Sequence, residues 1–124
     1  MFLNVDLDIY SRRSLQPLVE ALGKKVYVMR HIGREDRGHS AHLELAGRIR
    51  NLDETIRRFC ALIRGLPAPE RKLWDDARKK DFNIGIRAVT DPYSVEYVVS
   101  AEAVKAVAEL GGRILITVYA PEAE

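Results

Sequence analysis

Apolar and polar residues alternate along three separate stretches of the chain. Over residues 3–10 the odd positions hold Leu, Val, Leu and Ile, while the even positions hold Asn, Asp, Asp and Tyr. The alternation returns over residues 40–46 and 82–87. Because successive side chains of a strand point to opposite faces, each stretch predicts a β-strand with one face in the core and the other in water.

Residues 25–32 also have the composition of a strand, and they precede the stretch at 40–46. The intervening residues are polar and are bracketed by Gly33 and Gly38. A polar, glycine-bounded segment between two strands predicts a β-hairpin with an exposed tip.

Helical spacing of apolar residues follows the first strand. Ser14 is the predicted N-cap of this helix, Pro17 is tolerated in its first turn, and Gly23 ends it. Asn51 and Glu54 form a capping pattern before a second helix, whose apolar stripe includes Cys60.

Four further elements of regular structure are predicted in the second half of the chain. A third helix is expected over residues 69–79. A strand over 94–100, a helix over 101–110 and a strand over 113–119 follow it.

The order of these elements predicts an α+β fold of one domain, residues 1–124. It is the order of the ferredoxin-like split βαβ unit, here extended by a C-terminal βαβ unit. We expect a mostly antiparallel sheet with all helices on one face. Residues 3–32 and 94–119 also match in part, because a glycine ends an amphipathic helix in each, which leaves an internal duplication open.

The ferredoxin-like arrangement places the first strand between the third and the fourth, so polar residues of three strands share the face away from the helices. These residues are Asp6, Asp8, His42, Glu44, Asn83 and Arg87. We interpret them as a solvated outer face without a cofactor. The alternative is a divalent-cation site, because carboxylates and an imidazole are suitable ligands, but Arg87 would oppose a cation.

A second candidate site is the loop before the first helix, formed by Arg12, Arg13 and Ser14. Free N–H groups at a helix N-terminus attract anions, and two arginines would strengthen that attraction. The alternative is a pair of solvated loop arginines. His31, His39 and His42 are close in sequence, but strand alternation separates His39 from His42, so no zinc site is predicted.

Composition narrows the function classes. The 124 residues are 47% hydrophobic with a net charge of +2, which is typical of a globular chain. The longest apolar runs are far shorter than the ~20 residues of a membrane helix, and the single cysteine suits a reducing compartment. We therefore expect a cytoplasmic protein that does not contact a membrane.

Basic residues outnumber acidic ones between positions 48 and 80, which would suit an acidic partner such as nucleic acid. However, Asp6, Asp8 and Glu44 on the open face would repel phosphates. The sequence therefore does not favour a nucleic-acid partner.

The last third of the chain carries a resemblance. Residues 82–86 (FNIGI), residues 100–104 (SAEAV) and the ending at 110–119 (LGGRILITVY) resemble the C-terminal part of certain bacterial domains of unknown function. The resemblance implies a bacterial cytosolic protein without an assigned reaction. Some small domains of this kind act as immunity or accessory proteins of toxin systems.

Neither a nucleophile–base pair nor a phosphate-binding loop is recognisable in the sequence. The leading hypothesis is therefore a non-enzymatic interaction or regulatory module with a protein partner, or one that self-associates as a homodimer. The alternative is a small anion-binding domain or enzyme with its site at the N-terminus of the first helix.

Overall fold

Five strands form one sheet in a computed structural model that describes residues 1–34, 38–47 and 51–122. The elements follow each other as β1 (Phe2–Ser11), α1 (Gln16–Leu22), β2 (Val26–Arg34), β3 (Gly38–Leu45), α2 (Leu52–Arg64), α3 (Ala68–Asp76), β4 (Lys79–Arg87), α4 (Ala101–Glu109) and β5 (Arg113–Tyr119). A short 3-10 turn, Gly23–Lys25, joins α1 to β2.

The strand order is β2-β3-β1-β4-β5. All neighbouring pairs are antiparallel except β4 and β5, which run parallel. The first four strands have the ferredoxin-like order, and β5 extends the sheet beyond β4. The predicted fold class is therefore confirmed, with a mixed but mostly antiparallel sheet and the helices packed against it.

The alternation of β1 determines which face of the sheet is buried. Leu7 is fully buried and lies opposite Leu43 of β3 and Phe82 of β4. The helices cover this face: α2 contributes the buried Phe59, and α3 contributes the buried Trp74. The opposite face of the sheet, which we call the open face, carries the even-numbered residues of β1.

The helix ends largely follow the sequence signals. The Asn51 side chain accepts a hydrogen bond from the Glu54 N–H at 2.9 Å, as the capping pattern predicted. Gly23, with a φ of 56°, ends α1 as predicted. Ser14 was wrongly predicted as N-cap, since that position belongs to Leu15, although the Ser14 hydroxyl accepts the Gln16 N–H at 3.2 Å.

The third helix ends at Asp76, earlier than predicted, because residues 79–81 belong to β4. The Arg78 N–H donates to the Tyr10 carbonyl at 2.7 Å, which shows that the chain already runs along β1 there. In this case pairing with a central strand outweighed local helix propensity. The tip of the predicted hairpin, residues 35–37, lies outside the described residues.

The predicted strand over residues 94–100 was wrong. These residues form part of a connection from β4 to α4, and the Tyr97 ring packs 6.3 Å from the Phe2 ring. Both edges of β4 are already occupied, by β1 and by β5, so β4 itself is the first strand of the C-terminal βαβ unit. The internal duplication stays a prediction, without a strand at 94–100 to support it.

Close packing against Phe82 makes Gly112 a sensitive test of the core. A Cβ added at Gly112 would lie 2.7 Å from Phe82 Cε2 and 3.2 Å from Val107 Cγ1. The Phe82 ring is held edge-on by Phe59 and Trp74, so it has little room to move. We expect Gly112→Ala to lower the free energy of unfolding by about 1–3 kcal/mol, measured by urea denaturation.

Gly65→Ala is the matched control. Its Cβ would meet its nearest neighbour at 3.4 Å, and the backbone φ of −83° suits alanine. The control should change stability by less than about 0.5 kcal/mol. Equal urea midpoints for Gly112→Ala and the native chain would contradict this account of the packing.

Candidate functional site

The open face brings together five of the six polar residues predicted to share it. Strand register places Asp6 opposite Glu44 and Asp8 opposite His42, and Asn83 lies opposite Asp6 on the other flank. The five side chains therefore form a polar cluster across β3, β1 and β4.

Arg87, the sixth residue, lies at the far end of β4. Its guanidinium sits 5.9 Å from the centre of the Tyr119 ring, at the end of β5. Four residues along a strand separate it from Asn83 by about 13 Å. The structure therefore does not bring Arg87 into the polar cluster.

Hydrogen bonds connect the cluster across four strands. His42 Nδ1 lies 2.8 Å from Asp8 Oδ1, and Asn83 Nδ2 donates to Asp8 Oδ2 at 3.4 Å. Thr117 Oγ1 of β5 in turn donates to Asn83 Oδ1 at 2.8 Å. Asp8 is only 8% exposed although it lies on the open face. Its carboxylate is thus already satisfied by neighbouring side chains.

A second part of the cluster holds two carboxyl groups close together. Asn4 Nδ2 donates both to Asp6 Oδ1 at 3.1 Å and to Glu44 Oε1 at 2.6 Å. Partial burial, followed by the charges of Glu44 and Asp8, raises the pKa of Asp6 to about 6. The Asp6 carboxyl therefore titrates at an unusually high pH for an aspartate.

Sequence reasoning missed several members of the polar face. Asp81 is 4% exposed and accepts two hydrogen bonds from Arg113, at 2.6 and 3.2 Å. Asn4 was recognisable, since it continues the even positions of β1. Arg113 and Thr117 were not, because their place beside β4 depends on a strand order that the tail pattern does not reveal.

The cluster does not have the arrangement of a metal centre. Within the described ranges, no group of three or more His, Cys, Asp or Glu side chains is placed to hold a metal ion. His42 and Asn83 already bind the Asp8 carboxylate. His39 lies on the opposite face from His42, as strand alternation predicted.

Cys60 is not a nucleophile candidate. It is fully buried within the hydrophobic core, and this burial raises the pKa of its thiol to about 11. A thiol of that pKa carries almost no thiolate at neutral pH.

The predicted anion site before α1 has other bonding partners. Arg13 forms an ion pair with Asp76 at 2.8 Å, and its N–H donates to Ser11 Oγ at 3.1 Å. Arg12 and Ser14 are exposed, and α1 is seven residues long. Anion binding here stays a prediction, but one of its two arginines is already paired.

Part of the basic segment is neutralised along its own helices. Four ion pairs connect residues four apart in α2 and α3, namely Arg57–Asp53, Arg58–Glu54, Arg71–Asp75 and Lys72–Asp76. Such pairs are typical of solvated helix faces. Arg48 and Arg50, which also contribute to the segment, lie outside the described residues.

Exposed apolar side chains gather on β5, a feature that the sequence alone did not single out. Leu115, Ile116, Val118 and Tyr119 are between 40% and 63% exposed. Since β5 ends the sheet, its outer edge meets solvent instead of another strand in the part of the chain that is described.

No family model, curated protein or solved structure matches this chain. The resemblance to the bacterial domains therefore stays a prediction. Across the described chain, helices are too short or too polar to cross a membrane.

The carboxyl pair on the open face predicts an unusual pH dependence. An acid whose pKa is raised by folding contributes stability that is complete below its usual pKa of 3.8 and is lost as the pH rises through about 6. Asp6→Asn removes a charge that is partly buried and is repelled by Glu44 and Asp8, so it should abolish this loss. The free energy of unfolding at pH 7 should rise by about 1 kcal/mol, a small value because water screens part of these effects. Urea denaturation between pH 4 and pH 7 measures it.

Asp53→Asn is the control of opposite sign. Asp53 Oδ1 accepts the Ser100 N–H at 2.6 Å, and this hydrogen bond holds the pKa of the Asp53 carboxyl below its usual value. Its stabilisation is present at neutral pH, so the variant should be less stable there. Parallel pH profiles for Asp6→Asn and the native chain would contradict the raised pKa.

Proposed function

We propose that this chain is a non-enzymatic protein-interaction module. The observation that carries the proposal is the exposed apolar surface of β5 and of the connection before α4. Ile116 is 60% exposed and Val118 is 63% exposed, and in the connection Tyr93 and Val98 are 101% and 73% exposed. Ile116 and Val118 are two residues apart on one face of β5, and neighbouring exposed apolar side chains are typical of protein interfaces.

The energetics favour a protein partner on this surface. Fully burying a Val or Ile side chain is worth roughly 1.5–3 kcal/mol, so covering a half-exposed one recovers about half of that. Several such side chains together are enough to bias association. Aromatic residues such as Tyr93 and Tyr119 are also enriched in interfaces.

The polar cluster supports a binding role better than catalysis. Its hydrogen-bonding groups are used by one another, as Asp8 is by His42 and Asn83. A catalytic base needs a free position within hydrogen-bond reach of a substrate. The cluster instead connects four strands through side-chain hydrogen bonds.

The kind of partner follows from charge and from the resemblance. The carboxylates of the open face repel phosphates, and the basic helices are locally paired, so we propose a protein rather than a nucleic acid. An accessory or immunity role in a bacterial toxin system is the finer proposal, and it rests on the resemblance alone. The Arg13–Asp76 ion pair counts against the anion-binding alternative.

Photo-crosslinking in living cells tests the proposal. A photoreactive amino acid at Val118 should give one discrete protein adduct, identified by mass spectrometry. The same group at Arg12, where the alternative expects a small anion, should give none. The adduct should also disappear when Ile116→Lys is added, because a charge on β5 disfavours burial of this surface. The absence of any discrete adduct from Val118 would show that the proposed function is wrong.

A further inference from the structure

The outer edge of β5 lacks the features that usually prevent edge strands from pairing. Native proteins protect such edges with charges, prolines or bulges. Residues 114–119 contain no charged residue and no proline, and the pairing of β5 with β4 has no bulge. This edge is therefore open to another strand.

The opposite edge of the sheet is protected. The β2 strand has a register shift between Val28 and Arg30, and it carries Arg30 and His31. Bulges and positive charges are among the features that discourage edge pairing. The two edges of one sheet thus differ in their suitability for association.

One hydrogen bond shows which backbone groups of β5 face outward. The Ala88 N–H donates to the Tyr119 carbonyl at 2.8 Å, so the backbone groups of Tyr119 point toward β4. Because these directions alternate along a strand, Leu115 and Thr117 also bond to β4. The N–H and C=O groups of Ile114, Ile116 and Val118 consequently face the open edge.

The sequence of β5 is complementary to itself in one antiparallel register. Pairing all seven residues places Ile116 opposite Ile116, Ile114 opposite Val118, and Arg113 opposite Tyr119. Each outward-facing residue then meets an outward-facing residue, which gives about six interchain N–H···O bonds. The single charged residue faces an aromatic ring rather than a like charge, a favourable pairing.

We infer that two copies of this chain pair through β5 in this register, forming one sheet from two five-stranded ones. The inference rests on the proposed function and names its partner as a second copy. The two-fold axis is perpendicular to the sheet, so both helix layers lie on the same side. Glu109 of α4 pairs with Arg64 of α2, so the side of α4 that carries Glu109 faces α2. Val104, which is 47% exposed, lies on the other side of α4, next to the proposed contact between the two β5 strands.

The size of the interface sets the expected affinity. Seven strand residues on each side, with part of α4, are fewer than the about 20–30 residues a side of a standard interface. We therefore expect dissociation in roughly the micromolar range. The measured mass should rise from 14.1 kDa toward twice that value as the concentration increases through this range.

Charge substitutions at Ile116 test both the association and the register. In this register residue 116 faces its own copy, so Ile116→Glu and Ile116→Lys should each remain monomeric through repulsion of like charges. A 1:1 mixture of the two variants should recover the dimer, because Glu then faces Lys. Sedimentation analysis measures all three samples. Val28→Lys is the matched control, because Val28 lies on β2, on the same face of the sheet as Ile116, and is 45% exposed. This variant should dimerise like the native chain.

Amide hydrogen exchange of the native chain provides a test that needs no variant. The N–H groups of Ile114, Ile116 and Val118 should become protected only as the concentration rises. Those of Leu115 and Thr117, which bond to β4, should be protected at every concentration. Concentration-independent exchange at all five positions would overturn the inference.

Further outcomes overturn the inference while separating it from the proposed function. A native chain of 14.1 kDa at all concentrations, dimers of either Ile116 variant alone, or a mixture that stays monomeric would each contradict pairing of two copies in this register. If the Val118 crosslink then joins a different protein, the interaction function still holds. If no discrete crosslink forms, the proposed function fails as well.

Discussion

The central strand β1 is the constraint on which the rest of the structure depends. It has a neighbour on both sides, and its alternating side chains must satisfy two environments at once. Leu7 and its odd-numbered neighbours require a covering layer of helices, while Asp6 and Asp8 require partners on adjacent strands. Moving the register by one residue would place carboxylates under α2 and leucines in water. The fold therefore has little freedom in how β3 and β4 can pair with β1.

The carboxylates of β1 lower the stability of the fold even when the strands pair in the correct register. Asp6 is partly buried and lies near both Glu44 and Asp8, and burial first and then these two charges raise its pKa. Asn4 and His42 reduce the cost, since they place hydrogen-bond donors between or beside the acidic groups. The open face is thus a balance of repulsion and hydrogen bonding rather than a simple hydrated surface.

Much of the fold could be predicted because its signals are local. The alternation in β1 and the capping residues Asn51 and Ser100 act within a few residues of themselves. The polar cluster was also predictable, because the split βαβ order determines which strands are neighbours. The segment at 94–100 has the pattern of a strand, but a strand also needs a free sheet edge to pair with. The edge of β4 next to this segment is occupied by β5.

The two edge strands of the sheet, β2 and β5, also determine how large an assembly of this chain can become. A molecule with two exposed borders could add copies at both ends and grow into a fibre, because each addition would create a new attachment point. Here the bulge and basic residues of β2 leave one border unsuitable for addition. Growth across the sheet would thus be self-limiting, and solubility at high concentration would depend on those few positions far from β5.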